Sequence, residues 1–185
     1  MYYTAPCESP LGNLTFAGDG ESLIGLWIDG QKYDRDILKG KDIVQEELPV
    51  FAGVRSWLER YFAGEKPEIS ELPLRVTGSS FRKEVWKILC QIPYGQVITY
   101  GEIAGKIADR MGRERMSAQA VGGAVGHNPI SIIIPCHRVV GAGGSLTGYA
   151  GGLDKKIMLL EHEGADLPGM FLPSEKPGAC SVSHP

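Results

Sequence analysis

The segment Pro135-Cys136-His137-Arg138-Val139 follows the apolar run Ile132-Ile133-Ile134 and precedes the glycine-rich stretch Gly141-Ala142-Gly143-Gly144. A run of β-branched residues is typical of a buried strand, and the flanking proline and glycines favour turns. A cysteine at the end of such a strand is held in one position and can face a cleft. The pattern therefore predicts a rigidly placed thiol next to a histidine.

Cys136 needs a base if it is to act as a nucleophile. A free cysteine has a pKa of about 8.5 and is only a few per cent thiolate near neutral pH. His137 can accept the thiol proton, and a carboxylate from elsewhere in the chain can orient its imidazole. The competing interpretation is that Cys136 is a small buried hydrophobic residue, because free cysteine is among the most buried residue types. Both interpretations stay open at this point.

Length and composition allow one domain or two small ones, since 185 residues with 43% apolar residues can bury a real core. The four cysteines, at positions 7, 90, 136 and 180, are widely spaced and form neither CxxC pairs nor a zinc-binding pattern. We therefore expect no metal, no disulfide and no cofactor. The N-terminus lacks a signal-peptide pattern, and no apolar run is long enough to span a membrane. These features predict a monomeric cytoplasmic protein without a membrane partner.

Charge is distributed unevenly along the chain. Residues 1–76 carry a net charge of −5, residues 77–164 carry +3 and residues 165–185 carry −1. A mildly basic C-terminal half can meet phosphates while the acidic half faces away. A difference of this size also arises by chance among surface residues, so it is only weak support for a nucleic-acid partner.

The local patterns predict an α+β protein. Residues 2–8, 11–18 and 21–29 have the composition of short antiparallel strands separated by turns, and a helix over 48–62 is expected to cover one face of that sheet. A second helix is predicted over 81–91. We expect a small N-terminal domain with its linker (1–76), a mainly helical C-terminal domain (77–164) and an irregular tail (165–185).

Two further helices suggest a helix-turn-helix variant. Thr99 is a plausible N-cap of the first helix and Ser117 of a second one that reaches about Gly126; the polar join 109–116 between them is longer than usual. An ordinary helical pair would have the same pattern. The second helix is rich in alanine and glycine, and each internal glycine costs roughly 1 kcal/mol. Such a cost is tolerated where another protein element or a nucleic-acid backbone approaches closely.

Several motifs together resemble one family. The cysteine segment, the stretch from Ser117 to Ile130 with Asn128-Pro129, the loop Gly148–Leu153, and His162-Glu163-Gly164 are similar to the O6-alkylguanine-DNA alkyltransferases, also called methylated-DNA–protein-cysteine methyltransferases. Ile92-Pro93-Tyr94-Gly95 and Thr99-Tyr100 add to the likeness, which runs from about Phe81 to Gly164. The resemblance implies repair of O6-alkylguanine in duplex DNA by transfer of the alkyl group to a cysteine, once per molecule.

The resemblance also implies catalytic roles. Cys136 corresponds to the alkyl acceptor, His137 to a base that works through a bound water, and Glu163 to the carboxylate that orients this histidine. Tyr100 corresponds to the tyrosine that donates a hydrogen bond to guanine N3, so that the base leaves in neutral form. Asn128 corresponds to the asparagine that braces the turn between the recognition helix and the active site.

Substrate and DNA contacts follow from the same resemblance. The carbonyl of Val139, the ring of Tyr149 and the backbone of Ala150 are expected to hold the guanine. The glycine-rich helix is expected to enter the minor groove while the target nucleotide is flipped out. The expected DNA-binding residues are Gln119, Ser117, Ala118, Gly122, Gly123, Arg113 and Arg115. The family has an arginine where this chain has Gln119, and the arginines of the 109–116 join are a hypothetical replacement for its charge.

Two alternative functions belong to other classes. A non-enzymatic binder could recognise alkylguanine and recruit repair factors, but such relatives typically lack the acceptor cysteine. A Cys-His-Glu acyl hydrolase or amidotransferase would need an oxyanion hole and would turn over repeatedly, whereas thioether formation is terminal.

Overall fold

Four strands form the sheet of the N-terminal half. The computed structural model describes residues 1–166, 169, 170 and 172. Strands β1 (Tyr2–Ser9), β2 (Gly12–Gly18) and β3 (Leu23–Ile28) pair as antiparallel neighbours, which confirms the three predicted strands. A fourth strand, β4 (Ile43–Gln45), pairs in parallel with β1. Its three residues are all exposed, so no burial pattern marked it in the sequence.

Helix α1 (Pro49–Phe62) confirms the helix predicted over 48–62. Its proline lies in the first turn, where the missing N–H costs no hydrogen bond. Phe51, Val54 and Leu58 are buried in the core cluster that also contains the inward residues of β2 and β3. Tyr61, one turn further on, is buried as well and brings α1 to the candidate site described below.

The C-terminal half begins with three helices whose N-termini are capped by a side chain: α2 (Ser80–Leu89), α3 (Tyr100–Arg110) and α4 (Ala118–Gly126). Thr99 caps α3 in a capping box with Glu102, and the Ser117 hydroxyl accepts from the Ala120 N–H at the start of α4. The predicted helical pair is therefore confirmed, together with its long join. Trp86 is buried, and its Nε1 donates to the Ala124 carbonyl at 2.9 Å, which ties α2 to α4.

The expected strand over Ile132–Ile134 is wrong. This segment forms successive turns, and Ile132 has a left-handed φ of 70°. Its backbone bonds are local: Ile134 N–H, for example, donates to the Ile130 carbonyl at 3.1 Å. All three isoleucine side chains are buried, and an apolar run cannot distinguish a buried turn from a buried strand. Cys136–Arg138 form a single 3₁₀ turn, which leads into a short strand.

That short strand, β6 (Val139–Val140), pairs in parallel with β5 (Ile98–Thr99). Helix α5 (Leu153–His162) follows and ends beside Glu163. The pairing of β5 with β6 brings the start of α3 next to the cysteine turn, so Tyr100 and Cys136 become neighbours. Within the described residues, no helix is both long enough and apolar enough to cross a membrane.

The two halves share one apolar core. The largest buried cluster contains residues of the sheet, of α1 and of all the C-terminal helices. Leu26 in β3 forms an isolated bridge with Ile130, and Gln31 contacts Ser131 at 3.1 Å. The domain boundary between residues 76 and 77 stays a prediction. Most of the tail predicted over 165–185, including Cys180, lies outside the described residues.

Candidate active site

The thiol of Cys136 is buried and held by one side chain. Cys136 is only 4% exposed, and the Nδ2 of Asn128 lies 3.1 Å from its sulfur. The same Nδ2 donates to the Ile134 carbonyl at 2.8 Å, and Asn128 Oδ1 accepts from the Ile130 N–H at 3.1 Å. Asn128 therefore fixes the irregular turns before the cysteine as well as the sulfur itself.

Cys136 is a thiol rather than a thiolate near neutral pH. Burial raises its pKa above the ordinary value, and the hydrogen bond from Asn128 and the nearby charge of Lys156 only partly oppose that effect. A buried thiol of this kind reacts slowly unless a neighbouring group removes its proton. Cys136 therefore needs a neighbouring base if it is to react as a thiolate.

His137 is a neutral base with one open nitrogen. Its Nε2 lies 2.6 Å from Glu163 Oε1, and both side chains are fully buried. Burial lowers the pKa of His137, so the ring is neutral near pH 7 although Glu163 favours the charged form. A carboxylate only accepts, so Nε2 carries the hydrogen and Nδ1 keeps its lone pair. Nδ1 is buried and has no hydrogen-bond partner among the described residues.

The Glu163 carboxylate accepts hydrogen bonds from three separate parts of the chain. Besides His137, it accepts from Arg138 Nε at 2.8 Å and Arg138 Nη2 at 3.0 Å, from the Gly95 N–H at 3.2 Å and from the Tyr61 hydroxyl at 2.6 Å. Burial opposes ionisation, yet the hydrogen bonds from His137 and Arg138 hold the pKa of Glu163 well below its ordinary value. The group is therefore a carboxylate at any physiological pH. The sequence analysis assigned a role to neither Arg138 nor Tyr61.

Lys156 is a second buried cation that the sequence analysis missed. It is fully buried on α5, and its Nζ donates to the carbonyls of Val139 and Thr147, the latter at 2.8 Å. Burial lowers the pKa of Lys156 to about 8. The lysine joins the cysteine segment to the loop that carries Tyr149. It also occupies one acceptor position of the Val139 carbonyl, which the resemblance assigns to the substrate.

A cavity of about 770 Å³ is lined by Tyr100, Tyr149, Ala150 and residues of α4. The two tyrosines are also neighbours of Cys136, although the cysteine itself does not line the cavity. The Tyr100 hydroxyl donates to the carbonyls of Gly148 at 3.1 Å and Thr147 at 3.3 Å. Burial, with a smaller contribution from Cys136, raises the pKa of Tyr100 to about 12. The buried Tyr149 hydroxyl has no partner among the described residues.

The cavity-facing side of α4 consists of four small residues and one glutamine. It comprises Ala118, Gln119, Gly122, Gly123 and Gly126. A Cβ added at Gly123 would meet nothing within 4 Å, and one at Gly122 would make only ordinary contact with the Tyr100 ring at 3.8 Å. Close packing against another protein element therefore does not explain these two glycines. The face is open to a ligand.

The remaining expected DNA contacts lie at the edge of this face. Ser117 is exposed, and its hydroxyl caps α4. Arg113 and Arg115 are exposed in the join before α4, and the structure places neither in the cavity wall. From the N-terminal half, Lys32 and Tyr33 line the cavity, and the Tyr33 ring stacks on His127 with centroids 3.9 Å apart. No sequence motif marked these two residues.

Comparison with known proteins matches both halves of the chain to domains of the same family. The family model for the 6-O-methylguanine DNA methyltransferase ribonuclease-like domain matches residues 1–76, and the model for the DNA binding domain of that family matches residues 80–165. The methylated-DNA–protein-cysteine methyltransferase of Haemophilus influenzae is 44% identical over 163 residues, which cover 88% of this chain and 86% of the relative. The relative from Methanosarcina acetivorans is also 44% identical, over 89% of this chain and 99% of its own.

Solved structures agree with this result. The crystal structure of Mycobacterium tuberculosis OGT in complex with DNA superimposes with a TM-score of 0.73 at 43% identity, covering 88% of this chain and 92% of that one. The fold and the buried cysteine site thus define a DNA-repair alkyltransferase class. The chain belongs to the 6-O-methylguanine DNA methyltransferase family.

Proposed function

We propose that this protein repairs DNA by moving an alkyl group from O6 of guanine to the sulfur of Cys136, once per molecule. The observation that carries this assignment is the position of the buried Cys136 thiol. The thiol is held by Asn128, lies near Tyr100 and Tyr149, which line the cavity, and is followed in the chain by a neutral histidine with an open nitrogen. A thiol and its base are thus placed close to the tyrosines of a cavity of the size that binds a small planar ring.

The proton of Cys136 passes to His137. Because Nε2 is committed to Glu163, Nδ1 is the nitrogen that accepts the proton, directly or through a water molecule. The resulting imidazolium is stabilised by the Glu163 carboxylate. The thiolate then attacks the alkyl carbon; the carbon–sulfur bond forms, the carbon–O6 bond breaks, and its electron pair moves into the guanine ring. The thioether product contains no good leaving group, so the protein acts once.

Tyr100 assists the departure of guanine. Its hydroxyl hydrogen is now directed at the Gly148 and Thr147 carbonyls, and it would be redirected to guanine N3 when a base enters the cavity. Its pKa of about 12 keeps the hydroxyl protonated at neutral pH, as a hydrogen-bond donor must be. Tyr149 would supply an aromatic wall for the base, with its buried hydroxyl available to a ligand atom.

Duplex DNA would lie along the open face of α4. Small residues at this face let the helix approach the minor groove, and Gln119 would fill the space left by the flipped nucleotide. Gln119 is exposed and lines the same cavity as Tyr100, so one helix would hold the DNA open beside the pocket that receives the base. Arg113 and Arg115 would contact phosphates from the join before α4. A cytoplasmic location alongside the chromosome, and action as a monomer, belong to the same proposal.

The non-enzymatic alternative is not favoured. A binder needs the cavity and α4 but has no use for a buried thiol beside a base and its carboxylate. The hydrolase alternative is not favoured either: acyl transfer requires an oxyanion hole, whereas the family models and the curated relatives that match this chain are methyltransferases.

Intact-protein mass spectrometry tests the function directly. The protein is mixed with a duplex that carries O6-methylguanine, and the expected result is a gain of one methyl group per chain. Peptide mapping should place that methyl on Cys136. A label on Cys7 or Cys90, repeated turnover, or no mass gain would contradict the proposal.

A further inference from the structure

Tyr61 connects the N-terminal half to the proton-accepting pair. It lies on α1, 102 residues before Glu163 in the chain, and its hydroxyl donates to Glu163 Oε1 at 2.6 Å. The same oxygen accepts from His137 Nε2 at 2.6 Å. Arg138 Nη2 donates to this oxygen as well, at 3.0 Å, so three donors share the electron density of a single oxygen atom. All three residues are buried, so water does not replace any of them.

We infer that Tyr61 is a positioning residue of the reaction. Its hydroxyl sets how strongly Glu163 stabilises the protonated form of His137. The inference rests on the proposed function, because it gives Tyr61 a role in the relay that activates Cys136. It also gives the N-terminal half a chemical contribution besides its share of the core.

The electrostatic argument fixes the direction of the effect. A hydrogen bond to a carboxylate withdraws negative charge from the oxygen and lowers its basicity. Without the Tyr61 hydroxyl, Oε1 would become a stronger acceptor for Nε2–H, and the imidazolium at His137 would become easier to form. A more basic His137 removes the thiol proton at lower pH. The Tyr61 hydroxyl therefore lowers the basicity of His137 while it fixes the orientation of the Glu163 carboxylate.

Other charged and titratable groups face the same pair, and none of them replaces Tyr61. Arg138 binds both oxygens of Glu163 from the cysteine turn. The groups that face the pair from the surrounding elements are Tyr61 of α1, Tyr94 of the loop before β5, Arg138, Cys136, Tyr149 of the loop before α5, and Lys156 and His162 of α5. Burial and the charge of Glu163 raise the pKa of Tyr61 far above its ordinary value, so the hydroxyl stays a donor at every pH tested.

Tyr94 provides a matched control. Its ring meets the Tyr61 ring edge-on with centroids 5.9 Å apart, and its hydroxyl contacts the His162 carbonyl at 3.4 Å instead of Glu163. Tyr61→Phe and Tyr94→Phe thus remove the same atom from adjacent rings, but only the first removes a donor from Glu163.

The experiment is the rate of Cys136 carbamidomethylation by iodoacetamide as a function of pH, with peptide mapping to isolate Cys136. Tyr61→Phe is expected to move the midpoint of the profile to lower pH by roughly half a unit, whereas Tyr94→Phe leaves it in place. Site-specific 3-fluorotyrosine at position 61, a stronger donor of nearly the same shape, should move the midpoint to higher pH. An unchanged or opposite shift in either Tyr61 variant, or an equal shift in Tyr94→Phe, would overturn the inference.

Methyl transfer from O6-methylguanine DNA, measured on the unmodified protein, separates this inference from the proposed function. If methyl is transferred but the pH midpoint does not shift in the Tyr61 variants, Tyr61 has no role in activating Cys136 and the proposed function still holds. The shifts without transfer would remove the proposed substrate while supporting the coupling of Tyr61 to His137.

Discussion

The side-chain amide of Asn128 donates to the sulfur of Cys136 across 3.1 Å. Asn128 comes two residues after the end of α4, the helix whose open face lines the cavity. One amide group therefore joins the proposed DNA-binding helix to the proposed nucleophile. The end of α4 cannot move far without changing the hydrogen bond at the thiol.

Asn128→Asp should slow alkyl transfer strongly. A carboxylate in place of the amide removes a donor that lowers the pKa of Cys136 and adds a negative charge beside the sulfur, which raises that pKa further. We expect a decrease of at least about tenfold in transfer rate near neutral pH, corresponding to one pKa unit. The rate with benzylated guanine measures the effect, and Asn13→Asp, on the exposed part of β2, is the control. Equal rates for wild type and Asn128→Asp would show that Asn128 does not influence the pKa of the Cys136 thiol.

Cys136→Ser should abolish alkyl transfer and leave DNA affinity nearly unchanged. In the proposed reaction the sulfur is the nucleophile, while the expected phosphate contacts are made by other residues, and a serine hydroxyl is a far weaker nucleophile at neutral pH. Mass spectrometry measures transfer, and fluorescence anisotropy with a labelled duplex measures binding. Cys90→Ser, at an exposed cysteine, should retain full transfer. Persistent methylation of the Cys136→Ser protein would identify a different acceptor.

Glu163→Gln should destabilise the protein in a pH-dependent manner. The substitution leaves Arg138 buried without its carboxylate, and breaking such a pair costs about 3 kcal/mol. Because the folded-state pKa of Glu163 is lowered, its contribution is fully present above the unfolded-state pKa of about 4.3 and is lost as pH falls below that value. Urea unfolding should therefore show a large difference from wild type at neutral pH that shrinks in acid. A difference independent of pH would mean that ionised Glu163 is not the source of the stability.

Gln119→Ala should impair repair of duplex DNA more than reaction with a small benzylated guanine. The glutamine is expected to hold the flipped state open, and the free base needs no flipping. Gln119→Arg should maintain or increase duplex repair and steepen the salt dependence of DNA binding by about one phosphate contact. Gln96→Ala, at an exposed glutamine away from α4, should change neither rate. If Gln119→Ala lowers both rates equally, the residue supports α4 instead of entering the DNA.

Local patterns were sufficient for much of the fold. The strand composition and turns of the first 28 residues, the apolar stripe of α1 and the caps at Thr99 and Ser117 depend on residues close together in the chain, so the sequence alone predicts them. The stretch Ile132–Ile134 was predicted wrongly for the same reason. Its hydrophobicity records burial, whereas its turns depend on the Asn128 side chain and on packing against β3.

The sequence by itself determined the residue types of this site and their order: a cysteine beside a histidine, a later glutamate and a glycine-rich helix. The roles proposed for them followed from the resemblance of these motifs to the alkyltransferases. Only the tertiary structure decided which donors surround the Glu163 carboxylate. Tyr61, Gly95, Arg138 and Lys156 come from four separate segments, and no periodicity relates them. They meet because the shared core brings α1, α5 and the cysteine turn together. Once water is excluded there, the buried Glu163 carboxylate must take its hydrogen bonds from whichever donors the fold supplies.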